Sequence, residues 1–340
     1  MTDLRRPASL ADLRVLLAGM PGPDHLALRA AASREPLLTK PPGSLGRLEQ
    51  TAAWLATWQG RHPPTADRIA AVVFAGNHGV AAQGVSAFPA AVTAQMVANF
   101  QAGGAAINQL CRTFGVDLAV EALALDQPTA DFTQGPAMDE GAFLTAIGIG
   151  MGSVQDGLDA LCIGEMGIAN TTAASAVCLG LFGGTGLDWT GPGTGIAGAV
   201  LAHKARIVEA GVARNRPAMG DGLGVLCSVG GRELAAMAGA ILAARLKRIP
   251  VVLDGFVCTA AAAALEAVQP GALDHCVVGH VSAEPGHARL LERLGKAPLL
   301  SLGMRLGEAS GAVLAVAVLK AACACHAGMA TFAEAGVSSA

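Results

Sequence analysis

The stretch Leu302-Gly303-Met304-Arg305-Leu306-Gly307-Glu308-Ala309-Ser310-Gly311 follows a short apolar run, Ala297 to Leu302, and precedes the Ala/Val/Leu-rich segment Ala312 to Ala322. The run predicts a buried strand and the segment a helix. Glu308 then sits at a strand-to-helix turn, within the first turn of the helix. Ligands of open α/β sheets bind there, outside the carboxyl ends of the strands. Flanking glycines let backbone or substrate approach the carboxylate with no Cβ in the way. Read alone, Glu308 is either a general base in a crevice or an acid that complements a helix dipole.

The same grammar recurs along the chain. Ile69 to Phe74 reads as a buried strand ending in Gly76-Asn77-His78-Gly79-Val80. Leu161-Cys162-Ile163 ends in Gly164-Glu165-Met166-Gly167-Ile168-Ala169-Asn170-Thr171-Thr172, and Pro250 to Leu253 ends in Asp254-Gly255-Phe256. Val116 to Leu123 and Cys276 to His280 are two more strands, the latter ending in Val281-Ser282-Ala283-Glu284-Pro285-Gly286. Between them helices are expected at Ala90 to about Phe100, Ala105 to Phe114, Ser153 to Leu161, Thr172 to Leu181, Ala197 to Glu209, Glu233 to Leu246, Thr259 to Val268 and Ala288 to Leu294. Residues 124–140 read as an irregular loop, and Gly220 to Gly224 as a turn. Strand, glycine turn and helix in repetition predict an α/β fold, a doubly wound, mainly parallel, Rossmann-like sheet. Residues 60–322 form the large α/β domain in this reading. Residues 1–59 and 323–340 fall outside the rhythm and pair as a small helical lobe.

Composition narrows the classes. Apolar residues make up 52% of the 340 and charged residues only 14%, so much of the chain must be buried, part of it against a second subunit. A net charge of −3 without a long basic run argues against nucleic acid. The apolar runs fall short of the ~18 residues a membrane span needs, and no signal peptide is read at the N-terminus, so a cytoplasmic protein is expected. The eight cysteines contain no Cys-x-x-Cys pair and read as reduced core thiols, with no metal site.

Polar groups fall repeatedly at strand ends: His78, Glu165, Asp254, Ser282 and Glu308. One crevice would collect them, which favours the catalytic reading of Glu308. Gly164–Thr172 has the layout of an anion site on a helix dipole. Lys40 and Arg47, which bracket the turn Pro41-Pro42-Gly43-Ser44, suggest a second anion cradle. Gly193-Thr194-Gly195-Ile196-Ala197-Gly198 matches Gly-x-Gly-x-x-Gly, but no strand precedes it.

Lys40-Pro41-Pro42-Gly43-Ser44-Leu45-Gly46-Arg47-Leu48-Glu49 resembles the N-terminal signature of the nicotinate-nucleotide–dimethylbenzimidazole phosphoribosyltransferase family. So do Asn77-His78-Gly79-Val80, Gly164 to Thr172, Val229-Gly230-Gly231, Leu253 to Phe256, His280 to Glu284 and Met304 to Glu308, in the family's order over residues 38–330. The resemblance implies transfer of ribose 5-phosphate from nicotinate mononucleotide to 5,6-dimethylbenzimidazole in cobalamin assembly. It implies Glu308 as the catalytic base. Glu165, Gly167, Asn170, Thr171, Lys204, Ser282 and Gly286 are expected to hold the nucleotide, and His78, Ser86, Phe88, Gln95, Met96 and Leu306 to line the base pocket. It implies two small-molecule substrates, no cofactor, no metal and a homodimer. Asn77 stands where the family carries Asp, and Val116 to Leu123 departs from the family's Asp-Val-Gly strand end. An NAD-dependent oxidoreductase and a non-catalytic nucleotide sensor remain the alternatives.

Overall fold

The computed structural model describes residues 6–338; Met1–Arg5 and the last two residues, which belong to the expected helical lobe, lie outside it. Six strands form one sheet: β1 Ile69–Ala75, β2 Asp117–Ala122, β3 Ala160–Met166, β4 Val251–Leu253, β5 Cys276–His280 and β6 Pro298–Leu300. Their order is β2-β1-β3-β4-β5-β6, and every pairing is parallel. The expected doubly wound sheet is therefore present. The chain leaves β1 toward β2 and returns on the other side as β3, so the winding reverses between β1 and β3. The crevice of such a sheet opens at that reversal.

All seven residues of β1 are buried, as a central parallel strand covered on both faces must be. Ala70, Val72 and Phe74 enter one core with Leu161, Ile163, Leu253 and Val278. Ala71 and Val73 enter the other with Cys162, Val252 and Val313. Helices Glu140–Gly152, Asn170–Phe182, Arg232–Leu246 and Phe256–Val268 cover the first face. Helices Arg47–Gln59, Ala106–Phe114 and Ser310–Gly328 cover the second.

Three local readings are corrected. The helix expected at 153–161 lies one segment earlier, at Glu140–Gly152, capped by Asp139, whose Oδ1 accepts the Ala142 amide at 2.7 Å. Its glycines are packing glycines: a Cβ on Gly150 would lie 1.8 Å from the Ala236 carbonyl oxygen. The turn at Gly220 to Gly224 opens a helix, Gly222–Val229, capped by Asp221. Glu308 does not lie in the first turn of its helix but two residues before Ser310, with Ala309 as N-cap.

Helix Ser310–Gly328 has 19 residues, more than the apolar run suggested, and reaches the length and hydropathy of a membrane span. It is nevertheless built into the sheet: Ala312, Val313, Ala315, Val316 and Leu319 are all fully buried. Its far end meets the N-terminal segment, where His326 Nδ1 lies 2.7 Å from Glu35 Oε2 and Arg34 donates to the carbonyls of His326, Ala327 and Met329.

Candidate active site

A cavity of about 480 Å³ opens beyond the carboxyl ends of β3, β4 and β5, beside the reversal point. Its size falls within the range of small-molecule sites. Of the residues expected at a site, Ser86, Phe88, Glu165, Gly167, Asn170, Thr171, Ser282 and Leu306 line it. Lys204, Gly286, His78, Gln95, Met96 and the side chain of Glu308 are not in its wall.

Glu165 is the penultimate residue of β3 and is 9% exposed. Asn170 donates to its Oε2. Burial raises its pKa to about 8, with Asp254, Glu233 and Glu308 adding to the rise. It is thus largely protonated at neutral pH. Behind it Ala169 takes the left-handed conformation, φ 74°, and turns the chain into helix Asn170–Phe182. The start of that helix, Ala169 to Thr171, lines the cavity, so its dipole's positive end lies at the wall.

Glu308 lies against Glu165 from the other side. Its amide donates to the Glu165 carbonyl at 3.1 Å. Glu308 and Ala309 both have φ 62°, a region L-residues seldom occupy in succession. The preceding Gly307, φ 86°, lines the cavity, and a Cβ there would lie 2.5 Å from Glu165 Oε1. Only glycine fits. The Glu308 side chain is 4% exposed and its Oε2 has no partner. Burial, then the charge of Asp254, raises its pKa to about 7. The carboxyl therefore sits one peptide behind the cavity wall, with one oxygen uncommitted.

At the opposite side of the cavity, Lys204 is 1% exposed and donates to Thr171 Oγ1 at 2.8 Å and to the Gly191 carbonyl at 3.1 Å. Burial lowers its pKa to about 8, against the pull of Glu284. Its ammonium thus stands directly behind a lining residue, Thr171. Ser282 is fixed from both ends: its amide donates to His287 Nδ1 at 2.8 Å, and its Oγ accepts the Glu284 amide at 3.2 Å. Gly286 is a packing residue, where a Cβ would meet the Trp189 carbonyl oxygen at 2.7 Å.

The mouth is apolar and strapped. Phe88 and Leu306 are 52% and 55% exposed, flat apolar surface at the rim of a polar cavity. Thr194 Oγ1 lies 3.2 Å from both Ser86 Oγ and the Ala87 amide, tying the glycine loop 191–197 to the loop before helix Ala91–Ala102. Arg305 lines the cavity and donates to the Gly193 carbonyl at 2.9 Å. The Gly-x-Gly-x-x-Gly match is therefore part of the mouth. It follows a short helix, Gly186–Trp189, and not a strand.

His78 is buried beneath the floor, with Nε2 2.5 Å from Glu233 Oε1. Gly231 passes so close to its ring that a Cβ would lie 2.3 Å from Cε1. Gln95 is exposed, and Met96 packs on the second core. Asn77 donates from Nδ2 to the Leu125 carbonyl at 2.9 Å, a bond an ionised Asp could not make. Nor do Lys40 and Arg47 form an anion cradle. Lys40 is held by Glu35 and Glu49 at 2.8 and 2.7 Å, and Arg47 donates to the carbonyls of Ala297 and Pro298. Among the described residues no group of three His, Cys, Asp or Glu side chains is placed to hold a metal ion.

Sequence reasoning missed Thr194, Phe256, His280, Glu284 and Arg305, all in the cavity wall. Arg305 carried a signal: it is a cation beside a strand end in a chain poor in charge. Glu284 carried another, an acid directly before a helix-starting Pro285. Phe256 and His280 stand at strand ends inside the quoted motifs but are given no role at the site.

The family model described as phosphoribosyltransferase matches residues 20–337. The chain is 59% identical over 327 residues to nicotinate-nucleotide–dimethylbenzimidazole phosphoribosyltransferase of Rhizobium meliloti strain 1021, covering 96% of each. It is 56% identical over 330 residues to the protein of that name from Cereibacter sphaeroides strain ATCC 17025, covering 97% of this chain and 98% of the relative. The crystal structure of CobT from Thermus thermophilus superposes with a TM-score of 0.87 at 42% identity, over 93% of this chain and all of that one. With sequence, fold and cavity in agreement, the chain belongs to the nicotinate-nucleotide–dimethylbenzimidazole phosphoribosyltransferase family.

Proposed function

We propose that this chain moves the ribose 5-phosphate of nicotinate mononucleotide onto 5,6-dimethylbenzimidazole, giving α-ribazole 5′-phosphate and nicotinate. The observation that carries this reading is the polarity of one cavity. A helix N-terminus backed by Lys204 lies on one side, and two carboxyls of raised pKa with exposed apolar surface lie on the other. The first suits a phosphate. The second suits a flat, weakly basic ring that must lose a proton.

The step balances in atoms and electrons. One ring nitrogen of the benzimidazole attacks the anomeric carbon. The bond from that carbon to the nicotinate nitrogen breaks, and its electron pair neutralises the pyridinium. The new bond leaves positive charge on the benzimidazole, and the proton on its other nitrogen passes to Glu308. Glu308 reaches that nitrogen by turning its unpartnered Oε2 past Gly307, where no Cβ stands in the way. Lys204 and Thr171, at the start of helix Asn170–Phe182, hold the phosphate, with Ser282 near the ribose. Phe88 and Leu306 take the faces of the ring.

A second assignment has one observation in its favour: Glu165 lines the cavity directly, and Glu308 does not. Hydrogen bonding decides between them. Glu165 already accepts from Asn170, whereas Oε2 of Glu308 has no partner. We therefore assign the proton to Glu308 and leave Glu165 as a neutral hydrogen-bonding wall.

In this reading the chain works as a cytoplasmic homodimer. Mass spectrometry after incubation with nicotinate mononucleotide and a panel of benzimidazoles tests the reaction. A ribosylated benzimidazole phosphate with free nicotinate supports it. Ribose 5-phosphate without a ribosylated base, or no nicotinate at all, contradicts it.

A further inference from the structure

The turn that carries Glu308 is gripped from several sides. A Cβ on Gly164 of β3 would lie 2.0 Å from the Ala309 nitrogen. A Cβ on Gly279 of β5 would lie 2.8 Å from the Ala312 Cα, and one on Gly311 would lie 1.9 Å from His280 Cδ2. At the centre stands Asp254, which follows β4 and is fully buried. Its Oδ1 accepts the amides of Gly311 and Ala312 at 2.7 and 3.0 Å, and His280 Nε2 lies 3.5 Å from the same oxygen. Its Oδ2 has no partner.

We propose that Asp254 is a positioning residue for Glu308: its carboxylate pins the first turn of helix Ser310–Gly328, with the His280 ring wedged against Gly311, and so holds the two left-handed residues before that helix. The inference rests on the assignment of Glu308 as base. Two consecutive left-handed L-residues are strained and persist only where their surroundings over-determine them. Asp254 supplies that over-determination from the sheet. It also supplies a negative charge close to Glu308, which keeps that carboxyl a stronger proton acceptor than an isolated one.

Other titratable groups share the neighbourhood. Cys162 and Glu165 come from β3, Cys258 from helix Phe256–Val268, His280 from β5, and Glu233 faces Glu165. Helix Ala106–Phe114 presents the backbone of Ile107 to Glu308. Of these groups Asp254 is the one that both binds the turn and raises Glu308 and Glu165 by its charge.

The test compares pH profiles of kcat/KM for wild type, Asp254→Asn, Asp254→Ala and Glu308→Gln. Asn keeps an oxygen for the two amides and removes the charge. Its acid limb should move to lower pH by about half a unit to one unit, with the plateau within a few-fold of wild type. Ala removes the anchor too, and its plateau should fall about 10- to 100-fold. If Ala yields no folded protein, Asp254→Ser, which keeps one acceptor, takes its place with the same expectation. A residue that serves packing alone would lower the melting temperature and leave the limb unmoved. An Asp254→Asn limb coincident with wild type therefore overturns the proposal. Wild-type turnover in Glu308→Gln overturns the base assignment instead, whatever Asp254 does.

Discussion

The Glu308 amide donates to the Glu165 carbonyl at 3.1 Å, so the two acidic residues share a backbone bridge and cannot move apart independently. Glu308 is among the groups that lift Glu165 to about 8, after burial, Asp254 and Glu233. Bridged carboxyls of unequal acidity can divide their roles, one neutral and one ionised, at a single pH.

The first prediction is a pH profile. A base must be ionised to accept a proton, so kcat/KM should rise as pH climbs through about 7, the value to which burial and Asp254 lift Glu308. A profile flat from pH 5 to 8 would show that the group titrating here takes no part.

Stability should respond in the opposite sense. The folded pKa of Glu308 lies above its usual 4.5, so the folded state holds a proton that the unfolded chain has released between about pH 4.5 and 7. That stabilisation is present below 4.5 and is lost as pH rises through 7. Glu308→Gln, uncharged throughout, should therefore melt about 1–3 °C higher than wild type at pH 8 and no higher at pH 4. Thermal melts at the two pH values decide it.

Acid should act through buried imidazoles. His275 and His287 are pushed down to about 3 by burial, so between about pH 3 and 6.5 the unfolded chain binds protons that the folded one refuses. Stability must fall as pH drops through that window. His287 Nδ1 accepts the Ser282 amide, so its protonation should loosen the Ser282 loop first. Hydrogen-exchange protection at Ser282 and Glu284 should fall more than in β1 as pH drops from 6.5 to about 3; an equal change in both would contradict this.

Much of this site was legible in the chain. Apolar runs ending in glycine gave β1 and β5 nearly to the residue, because central parallel strands are apolar on both faces. The acids and hydroxyls at or near strand ends gave Glu165, Thr171 and Ser282 of the cavity wall. Other features were hidden for physical reasons. Helix Glu140–Gly152 holds glycines that local propensity penalises and that close packing on Ala236 requires. Whether His78 faces a cavity or a buried Glu233, 155 residues away, is a tertiary fact. So is the pairing of Lys40 with Glu35 and Glu49, which removes an anion site that spacing alone suggested.

Lys204→Ala should raise the KM for nicotinate mononucleotide about 10-fold or more and change kcat less, since it removes charge behind the phosphate site and touches no reacting atom. Steady-state kinetics check this. An unchanged KM would leave the lysine a buried brace for Thr171 and Gly191.

Gly307→Ala should cost about 1–3 kcal/mol through its left-handed φ alone. It should also force Glu165 away from a Cβ placed 2.5 Å from Oε1. Activity should fall along with stability. A variant as stable and as active as wild type would show that the close approach at this turn does not matter.

The central claim is that Glu308 accepts the proton while the ring nitrogen replaces nicotinate. Single-turnover kinetics of Glu308→Gln at about pH 7, with both substrates saturating, test it most directly. The account predicts unchanged binding of both substrates and a rate lower by about two to four orders of magnitude. A rate within a few-fold of wild type would contradict it, and a comparable collapse in Glu165→Gln alone would move the role to Glu165.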